Sequence, residues 1–265
     1  MKDQPIAIKG KLKLKDLDPG FTGSLDKEET KELTVRYAHR IGELQELLYA
    51  NAQHAVLLIF QGMDASGKDG AVRAALQHVN PAGVSVTNFK VPSDEERAHD
   101  YLWRVHNAIP RYGYIGVFNR SHYEAVLAER VLKLAPEKEL AQRFEQIVDW
   151  ERMLVQNRVV LLKFHLNISR EEQALRFKER LVNPKKNWKF SQGDLKTRQL
   201  WSDYAQAYED MLNGTSHRDA RWHSVPADRN WYRDYIVAKT VVKALEDLKL
   251  NWPKATEDLS KIRVK

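Results

Sequence analysis

The sequence contains no cysteine. Disulfides, thiolate metal sites and cysteine nucleophiles are therefore excluded. It also lacks a long apolar run. Ala55 to Phe60 is among the longest, far short of the length needed to cross a bilayer. The Lys-rich N-terminus has no apolar core of signal-peptide length. There is no internal repeat, no low-complexity segment, and no linker that would divide the 265 residues. His99, His106 and His122 do not fall at metal-ligand spacing with acids, and read as core or surface side chains. These absences predict a cytoplasmic protein without a membrane partner. Residues 1–28 are polar and carry Pro5 and Pro19, which predicts an extended arm, partly ordered at best. Residues 29–265 are expected to form a single domain.

What is present is a phosphate-binding pattern. Gly62-Met63-Asp64-Ala65-Ser66-Gly67-Lys68-Asp69-Gly70 fits G-x-x-x-x-G-K, with Asp69 where a Ser or Thr hydroxyl is expected. The apolar run Val56–Phe60 precedes it and a helix-compatible segment from Ala71 follows. In that setting loop amides and a helix N-terminus bind phosphate oxygens. Lys68 adds a mobile charge. Asp64 and Asp69 would repel phosphate unless a cation bridged them, so the loop implies Mg²⁺, for which Mn²⁺ can substitute.

The net charge is +7, which predicts an anionic partner. Nearly all of it lies between Arg176 and Arg198, where eight basic residues face two acidic ones. Such a run is either a solvated helix face or an element that closes on a ligand. Beside a phosphate loop it reads as a lid, bearing Lys178, Lys185, Lys186 and Lys189. Trp188, inside it, either stacks on a base or packs the lid.

Five strand candidates (56–60, 84–89, 114–119, 159–166 and 222–225) alternate with helix candidates at 28–50, 68–78, 94–108, 124–132, 136–157, 170–182, 194–213 and 231–250. Such alternation predicts an α/β fold: a five-stranded parallel sheet covered on both faces, a P-loop kinase architecture with a helical lid. Its ligands bind beyond the carboxyl ends of the strands.

The 114–119 strand runs into Asn119-Arg120-Ser121-His122-Tyr123-Glu124. Nucleotide kinases place an acid near such a strand end to hold the metal or its water. Asn119 is uncharged, so Glu124 and Asp64 would supply the charge. Arg120 suits a bidentate phosphoryl clamp. A plain capping turn, with Ser121 as cap and Glu124 closing a capping box, accounts for the same residues. Arg104 and Arg111 are read either as acceptor-phosphate contacts or as surface ion pairs.

With these residues placed, the chain resembles the polyphosphate kinase 2 family. The likeness rests on Gly62–Gly70, on Ala98 to His106, on Phe118 to Glu124, and on Asn230-Trp231-Tyr232-Arg233. It runs from about Leu33 to Leu250. The Asn-Arg-Ser-His-Tyr-Glu wording is similar to a single-domain subgroup, class III, that phosphorylates both AMP and ADP. Many relatives carry Asp where Asn119 stands, which bears on metal coordination. The resemblance implies a thymidylate-kinase-like three-layer sandwich and a homo-oligomer, dimer or tetramer. It also implies Mg²⁺-dependent transfer of the terminal phosphoryl group of inorganic polyphosphate to a nucleotide, with ATP among the products. Under it, Asp64, Lys68, Arg120 and Arg180 are the expected catalytic groups. Gly62, Met63, Ala65, Ser66, Gly67, Asp69, Gly70, Arg104, Arg111 and Arg176 are the expected phosphate and nucleotide contacts. Asp64, Asn119 and Glu124 are the expected metal side. An ATP-dependent nucleoside monophosphate kinase shares most of these features. A basic module that binds nucleic acid is the non-enzymatic rival, but no helix-turn-helix, zinc or RNA-binding signature supports it.

Overall fold

The computed structural model describes residues 6–264. Six strands form one sheet: β1 (Ile6–Ala7), β2 (Ala55–Gln61), β3 (Val84–Asn88), β4 (Ile115–Asn119), β5 (Val159–Asn167) and β6 (Trp222–Pro226). Their order is β1-β6-β5-β2-β4-β3. β2 to β6 are parallel, as the alternating pattern predicts. β1 is added antiparallel to β6, with Ile6 opposite Ser224.

The helices are α1 (Lys27–Asn51), α2 (Lys68–Leu76), α3 (Asp94–Arg97), α4 (Trp103–His106), α5 (Ala128–Val131), α6 (Glu137–Gln156), α7 (Arg170–Val182), α8 (Gln192–Gln199), α9 (Trp201–Thr215) and α10 (Asn230–Asp247). α1, α2 and α10 pack together as one outer layer, while α6 packs on β5 and α9 as the other. Covered on both faces, every residue of β2 is buried. Phe60 of β2 stacks on Phe164 of β5 with ring centroids 5.1 Å apart. This double coverage is why the central strands read as unbroken apolar runs.

Several regions depart from the expectations, among them the 124–132 helix, which is a 3-10 turn at His122–Ala125 followed by the short α5. The described part of the N-terminal arm is tied down: Ile8 is buried, Leu12 N donates to Asn213 Oδ1 and Leu14 N to Glu209 Oε2. Positions 1–5 of that arm lie outside the described residues. The 94–108 helix is two short ones, because Asp100 Oδ1 accepts from Leu102 N and restarts the chain. The 194–213 helix breaks at Leu200, so α8 and α9 are separate.

From β2 the chain first visits β3 and β4 on one side, then β5 and β6 on the other. The carboxyl ends of β2, β4 and β5 therefore flank the crevice where such sheets bind ligands.

Candidate active site

The loop between β2 and α2 needs backbone that most residues avoid. Gly62 has φ 157° and Gly67 φ 94°, and Ala65 has φ 63°. A Cβ on Gly67 would lie 1.8 Å from Arg233 Nη1, and one on Gly62 2.7 Å from Leu166 O. Gly67 caps α2 with no side-chain hydrogen bond. The first-turn N–H groups of α2 thus have no side-chain acceptor at the cap, and anions bind at such helix ends.

Lys68 is half-buried behind the loop. Its Nζ donates to Gly62 O at 2.6 Å. Burial, then Arg120, pushes its pKa down to about 8, against the pull of Asp64, Glu124 and Asp69. His165, opposite Gln61 on β5, is pushed down to about 3 by burial and by Lys68. It stays neutral and shares a hydrogen bond with Ser224 Oγ at 3.0 Å.

Three side-chain pairs join the loop region to the end of β4. Arg120 Nη2 donates to Asp64 Oδ1 at 2.8 Å. Asn119 Nδ2 donates to Asp69 Oδ1 at 2.6 Å. Gln61 Nε2 donates to Glu124 Oε1 at 3.2 Å. Arg120 itself has φ 62°, a conformation that costs about 1–3 kcal/mol and tends to persist where function requires it. The capping account is half right. Ser121 Oγ accepts from Tyr123 N, but Glu124 turns to Gln61 and does not close a capping box.

A cavity of about 860 Å³ opens in front of these pairs, lined by Asp64, Phe89, Arg104, Arg120, Glu124 and Tyr208 among others. Arg104 donates to Lys90 O and Glu96 and lies 5.2 Å from the Phe89 ring centroid. It is at the cavity. Arg111 is not. It precedes β4, at the opposite end of the strand, and donates to Tyr114 OH while lying over that ring. It is exposed, and its partner is a tyrosine rather than the acid of a surface ion pair.

The segment expected as a lid consists of α7, the turn around Asn187–Lys189 and α8. Lys189 Nζ reaches to 4.0 Å from Asp69, so lid and loop face each other. Lys186 pairs with Glu179 at 2.5 Å; Lys178 and Lys185 are exposed. Trp188 is largely exposed too, at 77%. Arg180 donates to Asp194 Oδ2 at 2.8 Å and to Lys189 O. Arg176 departs from the phosphate-contact expectation. It makes four hydrogen bonds, to Glu172, Ala65 O, Ala227 O and Asp228 O, so it braces the loop from behind.

Asp194 was not singled out by the sequence. It accepts from Arg180 Nη1, and burial, then Asp64, raises its pKa against the pull of Arg180 and Arg120. One of only two acids amid eight lysines and arginines was the available signal. Gln61, Gln173 and Arg233 were also missed as contacts of the loop.

Under the β4 end lies a buried ionic cluster. Glu151 accepts from Lys163 Nζ and from Tyr123 OH, both at 2.6 Å, and lies 3.1 Å from His217 Nε2. Burial opposes its charge, but Lys163, His122 and His217 hold the carboxyl well below the usual range.

Among the described residues no three His, Asp or Glu side chains converge as a cation cage. The donor chemistry nevertheless fits Mg²⁺, which takes one or two carboxylates and completes its shell with water and phosphate oxygens. Asp64 and Glu124 offer carboxylates and Asn119 a carbonyl oxygen. The buried Gln61 Oε1 has no partner among the described residues.

Known proteins bear on this geometry. The polyphosphate kinase 2 family model matches residues 24–252. The chain is 44% identical over 264 residues to the AMP/ADP-polyphosphate phosphotransferase of Meiothermus ruber, covering 99% of each. It is 43% identical to the ADP-polyphosphate phosphotransferase of Rhodopseudomonas palustris, over 87% of this chain and 84% of that one. A crystal structure of polyphosphate kinase 2 from Arthrobacter aurescens TC1 superposes with a TM-score of 0.92 at 40% identity, covering 96% of this chain and 92% of that one. The family model, the relatives and the superposed structure agree, and the chain belongs to the polyphosphate kinase 2 family.

Proposed function

We propose that this protein is a polyphosphate-dependent nucleotide kinase. It moves the terminal phosphoryl group of inorganic polyphosphate onto AMP and onto ADP, reversibly and with Mg²⁺. The observation that carries the proposal is the meeting of Asp64 and Arg120 at the mouth of a roomy cavity, with Lys68 held at Gly62 O beside it and Lys189 of the basic segment 4.0 Å from Asp69. The printed names of the relatives support the donor and both acceptors.

In the transfer, an oxygen of the acceptor's terminal phosphate attacks the terminal phosphorus of the chain. The P–O bond to the next phosphate breaks, and its electron pair leaves with the shortened polyphosphate. The attacking oxygen is already ionised, so no base has to take a proton. Catalysis is then positioning and charge stabilisation. The loop amides and Lys68 hold the donor end, with Lys68 exchanging the Gly62 carbonyl for phosphate oxygens. Arg120 faces the transferring group, and Asp64, relieved of Arg120, faces the cation. Arg180 and the lid lysines line the path of the chain. Arg104 and Phe89 border the acceptor side. Asp64 and Glu124, with Asn119 directly or through water, would hold Mg²⁺, which would supply positive charge to the phosphate oxygens; Mn²⁺ would satisfy the same donors.

The test is direct. AMP, polyphosphate and Mg²⁺ are incubated with the protein, ATP is left out, and nucleotides are separated by chromatography. ADP and then ATP should form. Formation of ADP only when ATP replaces polyphosphate would reassign the protein as an ATP-dependent nucleoside monophosphate kinase.

We also read the molecule as a cytoplasmic homo-oligomer, dimer or tetramer, working without nucleic acid. Among the described residues no helix is long and apolar enough to cross a membrane. Light scattering reads the subunit number, and a monomer at micromolar concentration contradicts the assembly.

A further inference from the structure

Each carbonyl of the phosphate loop from Gly62 to Ser66 is held by a donor. Lys68 takes Gly62 O at 2.6 Å and Ser66 N takes Met63 O at 3.1 Å. The next three are held by side chains from other elements. Gln173 Nε2 donates to Asp64 O at 2.9 Å, Arg176 Nη1 to Ala65 O at 2.8 Å, and Arg233 Nη1 lies 3.4 Å from Ser66 O. A peptide plane whose carbonyl is fixed on one side presents its N–H on the other. Gln173 and Arg233, by holding Asp64 O and Ser66 O, therefore turn the N–H groups of Ala65 and Gly67 forward, where phosphate oxygens would sit, while Arg176 fixes the Ala65 peptide, whose Ser66 N–H is spent on Met63 O.

Two of the three belong to the lid. Gln173 and Arg176 lie three residues apart on α7, on one face of the helix. Gln173 is 1% exposed and is itself held from the far side of the lid. Arg198 Nη1 on α8 donates to Gln173 Oε1 at 2.9 Å and to Arg170 O at 2.7 Å. A carboxamide has one acceptor oxygen and one donor nitrogen. Here the oxygen faces α8 and the nitrogen faces the loop.

We propose that Gln173 is a positioning residue that relays the placement of lid helix α8, through Arg198, to the Asp64 peptide of the phosphate loop. The chain Arg198–Gln173–Asp64 makes the loop's transfer-ready shape depend on a closed α7–α8 pair. Gln173 touches neither donor nor acceptor; it acts through Asp64. The inference rests on the phosphoryl-transfer role proposed above, and the test keeps the two apart.

Two variants probe the relay. Gln173→Glu keeps an acceptor for Arg198 and loses the donor to Asp64 O. Arg198→Met, at a half-exposed position, removes the other end. Thermal melting confirms that each is folded. Each should lower kcat with polyphosphate about tenfold, the size expected of a slightly displaced reacting group. KM for AMP should stay unchanged. The double variant should be no slower than Gln173→Glu alone, because both changes break one chain. Hydrogen–deuterium exchange of the peptide spanning residues 62–70 should quicken in both single variants, whether or not activity is measured. Wild-type kcat in either folded variant, losses that multiply in the double variant, or unchanged loop exchange would overturn the relay. If the wild-type protein transfers nothing from polyphosphate but loop exchange still quickens, the functional reading fails and the relay stands.

Discussion

Lys68 holds a positive charge where its surroundings disfavour it. Burial and Arg120 lower its pKa to about 8, so a neutral fraction appears just above neutral pH. Only the protonated form attracts phosphate. kcat/KM for polyphosphate, which reports the free enzyme, is therefore full below pH 8 and falls as pH rises through it. Bound polyanion favours the charged form, so the limb in kcat should lie higher. Lys68→Arg, charged throughout, should remove the limb from kcat/KM whatever its effect on rate; a limb still at pH 8 in that variant would assign it to another group. Lys68→Ala or Asp64→Asn should lower turnover about a hundredfold or more, the cost of one preorganised charge contact. Steady-state assays of the folded variants check this. The types of these residues were legible in the sequence because the G-x-x-x-x-G-K spacing fixes a loop and its lysine together. The directions in which arginines point were not. Arg176 and Arg111 share composition and neighbourhood with Arg180 and Arg104. Yet one braces Ala65 O from behind and the other lies at the far end of β4.

Among the elements, the lid matters most for the donor. α7 is set by local signals, with Ser169 Oγ capping Glu172 N, and its limits were legible. The join of α7 to α8 was not, since Arg180–Asp194 and Arg198–Gln173 are tertiary pairs. The break at Leu200 has no Gly or Pro beside it, so periodicity ran through it. Neutralising Lys185, Lys186 and Lys189 should raise KM for long polyphosphate and flatten its dependence on salt, because each removed cation removes a counter-ion displaced on binding. KM for AMP should change little. Kinetics across chain lengths and ionic strengths would expose the lid as an inert surface if neither dependence moved.

At the scale of the molecule, a buried ionic cluster supports the site from below. Tyr123, one residue from Glu124, is held by Glu151, which is held by Lys163. Lys163 also donates to Thr215 O at the end of α9. Glu151→Leu leaves a buried ammonium uncompensated, and should destabilise the fold by about 3–5 kcal/mol; denaturant titration reads this, and a loss under 1 kcal/mol would mark the cluster as dispensable. The parallel sheet was legible because its central strands are buried runs. The β1–β6 pairing was not, since residues about 200 positions apart form it with no local signature.

On the function proposed, this loop, the basic segment and Arg120 together use polyphosphate as the phosphoryl donor. Phosphorus NMR of one sample holding AMP, polyphosphate and Mg²⁺, without ATP, tests it most directly. The nucleotide β- and γ-phosphate signals should grow as internal polyphosphate signal declines by an equal amount, and Lys68→Ala should suppress both changes together. Polyphosphate that stays intact while the same preparation phosphorylates AMP from ATP would contradict the account.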